Sequence, residues 1–230
     1  MKTRIFAVLA ALVLSFGGAS AARAQLDKLS NQDAVAGLKA ALEKGSTVAV
    51  AALGRNDGFF GNPQVKIPLP DSLKSVDKLM RGVGMGKYSD QLILTMNRAA
   101  EAAVPEAKQL FLNAVKNMSV QDAKGILTGG NTSGTEYFKR ATSEQLRAKF
   151  LPIVKNATQK VSLAAKYNEY ADRGAKFGLV KKEDANLDNY VTQKALDGLF
   201  FMVGEEEKKI RANPVQAGSD LLKRVFGSLK

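Results

Sequence analysis

The sequence predicts an all-α fold, a single multi-helix bundle crossed by one long extended Gly/Pro-rich loop. Three observations carry this expectation. Apolar residues recur at intervals of three and four, as at Leu146, Phe150, Ile153 and Val154. Capping residues and glycines punctuate these runs at helical lengths. The one clearly alternating stretch, Val65-Lys66-Ile67-Pro68-Leu69-Pro70, carries two prolines and so cannot join the interior of a sheet. The pattern implies about eight to ten helices in one domain over residues 25–230.

At the N-terminus, Lys2 and Arg4 precede an apolar run at 5–16, followed by small residues ending in Ala22-Arg23-Ala24. This is the order of a secretory signal peptide over residues 1–24, and the apolar run is too short for a permanent span. The expectation is export to the periplasm, or beyond it, of a mature chain of 206 residues (230 less 24). No later segment reads as transmembrane. Removing three cations (Lys2, Arg4 and Arg23) lowers the formal charge from +12 to +9. An excess of cations favours anionic lipid or acidic protein surfaces, with a strength that falls as salt rises, although it also serves plain solubility. The partners expected are an envelope lipid, a hydrophobic ligand or a protein; nucleic acid is not among them.

The chain has no histidine, cysteine or tryptophan. Triad and Cys-His mechanisms are thereby excluded, as are ordinary zinc, copper, haem and iron-sulfur sites. Carboxylates, Lys, Tyr and Ser/Thr remain for catalysis, and hard oxygen-liganded ions such as calcium remain open. No cofactor is expected. Without disulfides, burial and helix packing must supply the stability.

In order along the chain, the first helix is expected over residues 31–53, with Val35, Leu38, Ala41 and Leu42 on one face and a weak point at Gly45-Ser46-Thr47. Residues 54–63 form a loop in which Phe59 and Phe60 either cover a pocket or pin the loop to the core. Asp71 is expected to cap a short helix with Leu73, Val76, Leu79 and Met80 on its apolar face. That helix ends at Gly82-Val83-Gly84-Met85-Gly86, read as a hinge or tight turn. Residues 89–117 make the longest helical stretch, kinked or broken at Pro105. Within it Asn97, Arg98 and Glu101 fall on one strip, extended by Gln91 and Lys108. The strip either lines a cavity or is architectural, an Arg98–Glu101 pair with bonds to a neighbouring loop.

Residues 119–127 read as a helix with Ser119 and Asp122 in a capping-box arrangement and Val120, Ala123, Ile126 and Leu127 on one face. Gly129 to Gly134 then has the glycine spacing of a phosphate-binding loop, but Thr135 and Glu136 stand where Lys and Ser/Thr are required, and a helix stands where a strand should precede. A helix connection, capped by Thr132, Ser133 or Thr135, is the reading taken. Thr142-Ser143-Glu144-Gln145 is expected to open a further helix that Pro152 kinks or divides. Residues 161–177 are expected to be helical, with Tyr167 and Tyr170. Asp184-x-Asn186-x-Asp188 opens like a calcium loop but lacks its glycine and glutamate, so Asp188 is read as a helix cap. In the helix that follows, Glu205–Lys209 and Glu207–Arg211 are expected as exposed ion pairs. Pro214 opens a final helix with Leu221, Leu222, Val225, Phe226 and Leu229 on one side.

Five stretches together give the chain a resemblance: VKIPLP at 65–70, MNRAAEAA at 96–103, TEYFKRAT at 135–142, LDNYVTQKALDGLFFMVGEEEKKIRANP at 187–214 and LLKRVFG at 221–227. The chain resembles a bacterial family of secreted helical proteins of about this length, catalogued only as a domain of unknown function. The resemblance implies an all-helical fold and an envelope location, and it lends no enzymatic activity. The family carries an arginine between the Asn-Pro pair and the last Leu-Leu, where this sequence has Gln216 and Ala217.

The functional expectation is a non-enzymatic periplasmic protein that binds a hydrophobic or anionic envelope component or a protein partner. The ligand-contacting candidates are Lys66, Asn97, Arg98, Glu101, Tyr137 and Arg211. One alternative is an enzyme with Glu101 as general base. Another is peripheral membrane binding through the C-terminal helix.

Overall fold

The computed structural model describes residues 31–168 and 186–213, and these residues are all-α, with no strand among them. Seven α-helices follow in order: α1 (Asn31–Leu53), α2 (Asp71–Gly82), α3 (Gly86–Ala103), α4 (Ala107–Lys116), α5 (Val120–Thr128), α6 (Ser133–Thr158) and α7 (Leu187–Ala212). A single 3-10 turn, Val104–Glu106, separates α3 from α4. It coincides with Pro105, which begins a new segment where its missing N–H costs nothing. Residues 162–168 are helical as well. Tyr170, Asp184 and the expected final helix lie outside the described residues.

The core is built on α6, which packs most extensively against α7 and also against α3, while α1 lies along α7 and α4. Phe111, Phe138 and Phe200 meet at its centre, with ring centroids 4.6 Å apart for Phe111–Phe138 and 6.1 Å for Phe111–Phe200. Leu92, Met96, Leu146, Phe150, Val154 and Leu199 surround them and are fully buried.

Local signals hold where no distant packing competes. Ser119 and Asp122 form the reciprocal capping box at α5, with the Asp122 amide donating to Ser119 Oγ at 3.0 Å and the Ser119 amide donating to Asp122 Oδ2 at 3.2 Å. The turn after α2 closes as a Schellman motif: Met85 N–H donates to the Met80 carbonyl and Gly84 N–H to that of Arg81, with Gly84 at φ +76°. An L-residue there would be strained, so the glycine run is a tight turn.

Several expectations are corrected. Gly45-Ser46-Thr47 does not interrupt α1, because Leu38, Ala41 and Leu42 before it and Ala49, Val50 and Leu53 after it are all buried on the same body. Packing overrides the weak helix propensity of the triplet. Thr142 does not open a helix but lies inside α6, its hydroxyl donating back to the Phe138 carbonyl at 2.7 Å. Pro152 is carried within α6 without dividing it; the amide bond to the Ala148 carbonyl is forgone between the buried anchors Phe150 and Val154. Asp71 is the first residue of α2 and pairs with Lys74 at 2.7 Å; Pro70 occupies the cap position. The α7 cap is Asn186, which accepts the Asn189 amide at 3.0 Å, whereas Asp188 is buried and accepts the Thr158 hydroxyl. That bond ties the start of α7 to the end of α6. Finally, the apolar face expected on α2 is mostly uncovered: only Leu73 of that face is buried, while Val76 and Leu79 are exposed.

Candidate functional site

The polar strip on α3 meets the loop at 54–70. Asn97 is fully buried, and its carboxamide reads both sides of the Ile67 peptide: Ile67 N–H donates to Oδ1 at 2.8 Å and Nδ2 donates to the Ile67 carbonyl at 2.9 Å. A second bond from Nδ2 reaches the Ile93 carbonyl at 2.8 Å. An extended segment with no neighbouring strand leaves its backbone groups unsatisfied, and a carboxamide carries the same donor and acceptor as a peptide. Asn97 therefore acts as a one-residue substitute for a strand. On either side of that contact Val65, Ile67 and Leu69 point into the core and Lys66 and Pro68 point out, the alternation expected of the segment.

One turn further along α3, Glu101 Oε1 accepts the consecutive amides of Phe59 and Phe60 at 3.0 and 3.1 Å. Its other oxygen pairs with Arg98 Nη1 at 2.6 Å, and Arg98 Nη2 reaches Asp57 at 2.7 Å. Asp57 sits at φ 62°, a conformation in which it turns the loop tightly over the helix. The hydrogen bonds from Glu101 and then Asp57, with their charges, hold the Arg98 proton more firmly than usual. Phe59 is fully buried, and the Phe60 ring lies under Lys66 Nζ at 4.1 Å and near the Arg98 guanidinium at 5.7 Å. Both aromatics thus pin the loop. Both Glu101 oxygens are engaged in holding backbone and guanidinium.

The remaining two candidates lie elsewhere. Tyr137 is buried on α6 and donates its hydroxyl proton to the Ala114 carbonyl at 2.7 Å, tying α6 to α4. Arg211 is on α7, where Nε and Nη2 both reach Glu207 Oε1, at 3.0 and 2.8 Å, and Nη2 also reaches the Ile126 carbonyl near the end of α5. The structure brings Lys66, Asn97, Arg98 and Glu101 together and leaves Tyr137 and Arg211 apart from them.

Glu207 is the residue that sequence reasoning misplaced. Expected on a solvated face, it is buried, and its carboxylate caps α6: Gly134 N–H donates to Oε1 at 2.9 Å, and Thr135 N–H and Oγ1 both donate to Oε2 at 2.8 Å. Thr132, at the cap position, makes no side-chain cap bond. The glycine-rich loop does therefore present a helix N-terminus to an anion, and the anion is the chain's own carboxylate. Gly134 leaves room for the close approach, because a Cβ there would fall 2.4 Å from Leu42 Cδ2, which would have to shift. The neighbouring acids pair differently from expectation, Glu205 with Lys208 and Glu206 with Lys209, each at 2.7 Å.

Beside this constellation runs a narrow apolar cleft between α1 and α7, lined by Leu38, Leu42, Val203 and Ile210 together with Glu207 and Arg211. Its volume of about 10 Å³ is on the scale of a single water. Among the described residues no three side chains of metal-ligating type come together, and no helix is long and apolar enough to cross a membrane.

Residues 28–227 match the family described as "Protein of unknown function (DUF4197)". The chain belongs to the DUF4197 family. No curated protein and no solved structure matches it. In this DUF4197 chain, then, Asn97, Glu101 and Glu207 are committed to backbone contacts, and the densest run of exposed apolar side chains among the described residues lies at the α2–α3 hairpin. There Val76, Leu79, Val83, Met85 and Tyr88 are all exposed, Leu79 at 73% and Val83 at 72%.

Proposed function

We propose that this protein is an exported, non-enzymatic binding protein of the bacterial cell envelope, which engages its partner across its surface rather than enclosing a small ligand. The observation that carries the reading is the uncovered apolar face of α2. Val76 and Leu79 follow helical spacing, so they form one stripe that Val83 extends at the C-cap, and a stripe of this kind ordinarily faces a core. Apolar surface clustered in this way marks interaction sites. The N-terminal charged, apolar and small-residue order supports export. The engagement of Asn97, Glu101 and Glu207 by loop amides and a helix N-terminus supports a structural role for the polar residues that would otherwise suggest chemistry.

Photo-crosslinking in living cells tests this. A photoreactive residue at position 79 should label an envelope component, lipid or protein, and one at position 124 on α5 should not. Equal labelling from both positions, or recovery of the chain in the cytoplasm, overturns the reading.

A further inference from the structure

We propose that the α2–α3 hairpin is a docking tip for an anionic phospholipid surface. This rests on the reading that the hairpin is the interaction surface, and it names the partner. Leu79 and Val83 lie at the end of α2, Met85 in the turn and Tyr88 at the start of α3, so the exposed apolar groups gather at the end of a helical hairpin rather than across a broad flat face. A protruding tip can bury such side chains at the headgroup boundary, with the tyrosine ring at the level where aromatic residues settle.

The charges around the tip fit the same surface. Arg81 Nη2 binds Asp90 at 2.5 Å and Arg81 Nε binds Asp77 at 2.9 Å, which staples the two helices and neutralises acids that would repel phosphate. Lys78 and Lys87 belong to no ion pair among the described residues, and both are exposed. Lys87 Nζ stands 5.3 Å from the Tyr88 ring centroid, so cation and aromatic lie side by side. The lysines can meet lipid phosphates while the apolar groups enter below them.

A second copy of the chain fits this tip poorly. Self-association would bring the same lysines together on a chain whose formal charge, +12 in full, is still +9 without residues 1–24. A stable protein interface also needs roughly 20–30 residues a side with aromatic anchors, whereas the tip offers five apolar side chains and a single ring.

The test is sedimentation of the full chain with vesicles of phosphatidylglycerol in phosphatidylcholine and with vesicles of phosphatidylcholine alone, at low and high salt. Every variant carries the same N-terminal segment, and helicity is checked by circular dichroism. The expected result is binding to the anionic vesicles that weakens with salt. It should fall about tenfold or more in Leu79→Asp/Val83→Asp and about tenfold in Lys78→Glu/Lys87→Glu. Val120→Asp, at an exposed apolar position on α5, should bind like the parent. Equal binding to neutral vesicles, no binding at all, or undiminished binding by the hairpin variants overturns the proposal, as does loss confined to Phe226→Asp. If position 79 still labels a protein in cells while vesicles fail, the lipid assignment falls and the surface reading stands. If both fail, both fall.

Discussion

Glu207 caps the start of α6 from 72 residues beyond Thr135 in the chain: its Oε2 accepts both the amide and the hydroxyl of Thr135 at 2.8 Å. The carboxylate is held from the other side by Arg211, which also satisfies the Ile126 carbonyl near the end of α5. One buried ion pair thus joins the beginning of α6, the end of α5 and the body of α7. Removing one partner of such a pair leaves the other uncompensated.

Glu207→Ala is expected to lower stability by about 3–5 kcal/mol, read by urea denaturation. Adding Arg211→Met should recover part of the loss, since it removes the orphaned charge. A single variant costing less than about 1 kcal/mol would show that the carboxylate does not carry the junction.

Glu101→Ala frees the Phe59 and Phe60 amides while Arg98 keeps Asp57. A loss of about 2–4 kcal/mol is expected from two buried donors and a broken pair. Hydrogen exchange gives a sharper reading. The Phe59 and Phe60 amides should exchange at least about tenfold faster, with the α5 amides unchanged beyond the global shift. Uniform acceleration over the whole chain contradicts a local clamp.

Two glycines should answer oppositely to alanine. At Gly134 the added methyl meets Leu42 and the Glu207 carboxylate, so Gly134→Ala should destabilise by about 1–3 kcal/mol. At Gly125, inside α5, nothing lies within 4 Å, and Gly125→Ala should stabilise by about 0.5–1 kcal/mol. Thermal unfolding of the two variants checks both signs at once.

Burial pushes the Tyr137 phenol above its usual value of 10.0, and the charge of Asp122 adds to the effect. Because the folded value exceeds the unfolded one, this contribution is complete below about pH 10 and is lost as pH rises past it toward the folded value. Tyr137→Phe should cost about 1 kcal/mol at neutral pH through the bond to Ala114. The gap between the two proteins should then narrow above about pH 10. A gap that stays constant through that range removes Tyr137 as its source.

What the sequence determined by itself was whatever a few neighbouring residues decide. The all-α class, the bounds of α1, the break at Pro105, the Ser119 capping box and the alternation at Val65, Ile67 and Leu69 all rest on periodicity or on bonds spanning three or four residues. The Arg98–Glu101 pair was legible for the same reason, since three residues on a helix make neighbours. Tertiary structure alone decided which polar groups were buried and what they met. Glu205, Glu206 and Glu207 are alike in sequence, yet only Glu207 turns inward, because α7 crosses the start of α6 at that turn. Gly45 and Thr142 look like breaks until the buried faces around them dock. The stripe on α2 looks like a core face, but among the described residues Val76 and Leu79 stay exposed. Periodicity states that a face is apolar, while the partner, if any, is fixed by how distant segments pack, and no local pattern encodes that geometry.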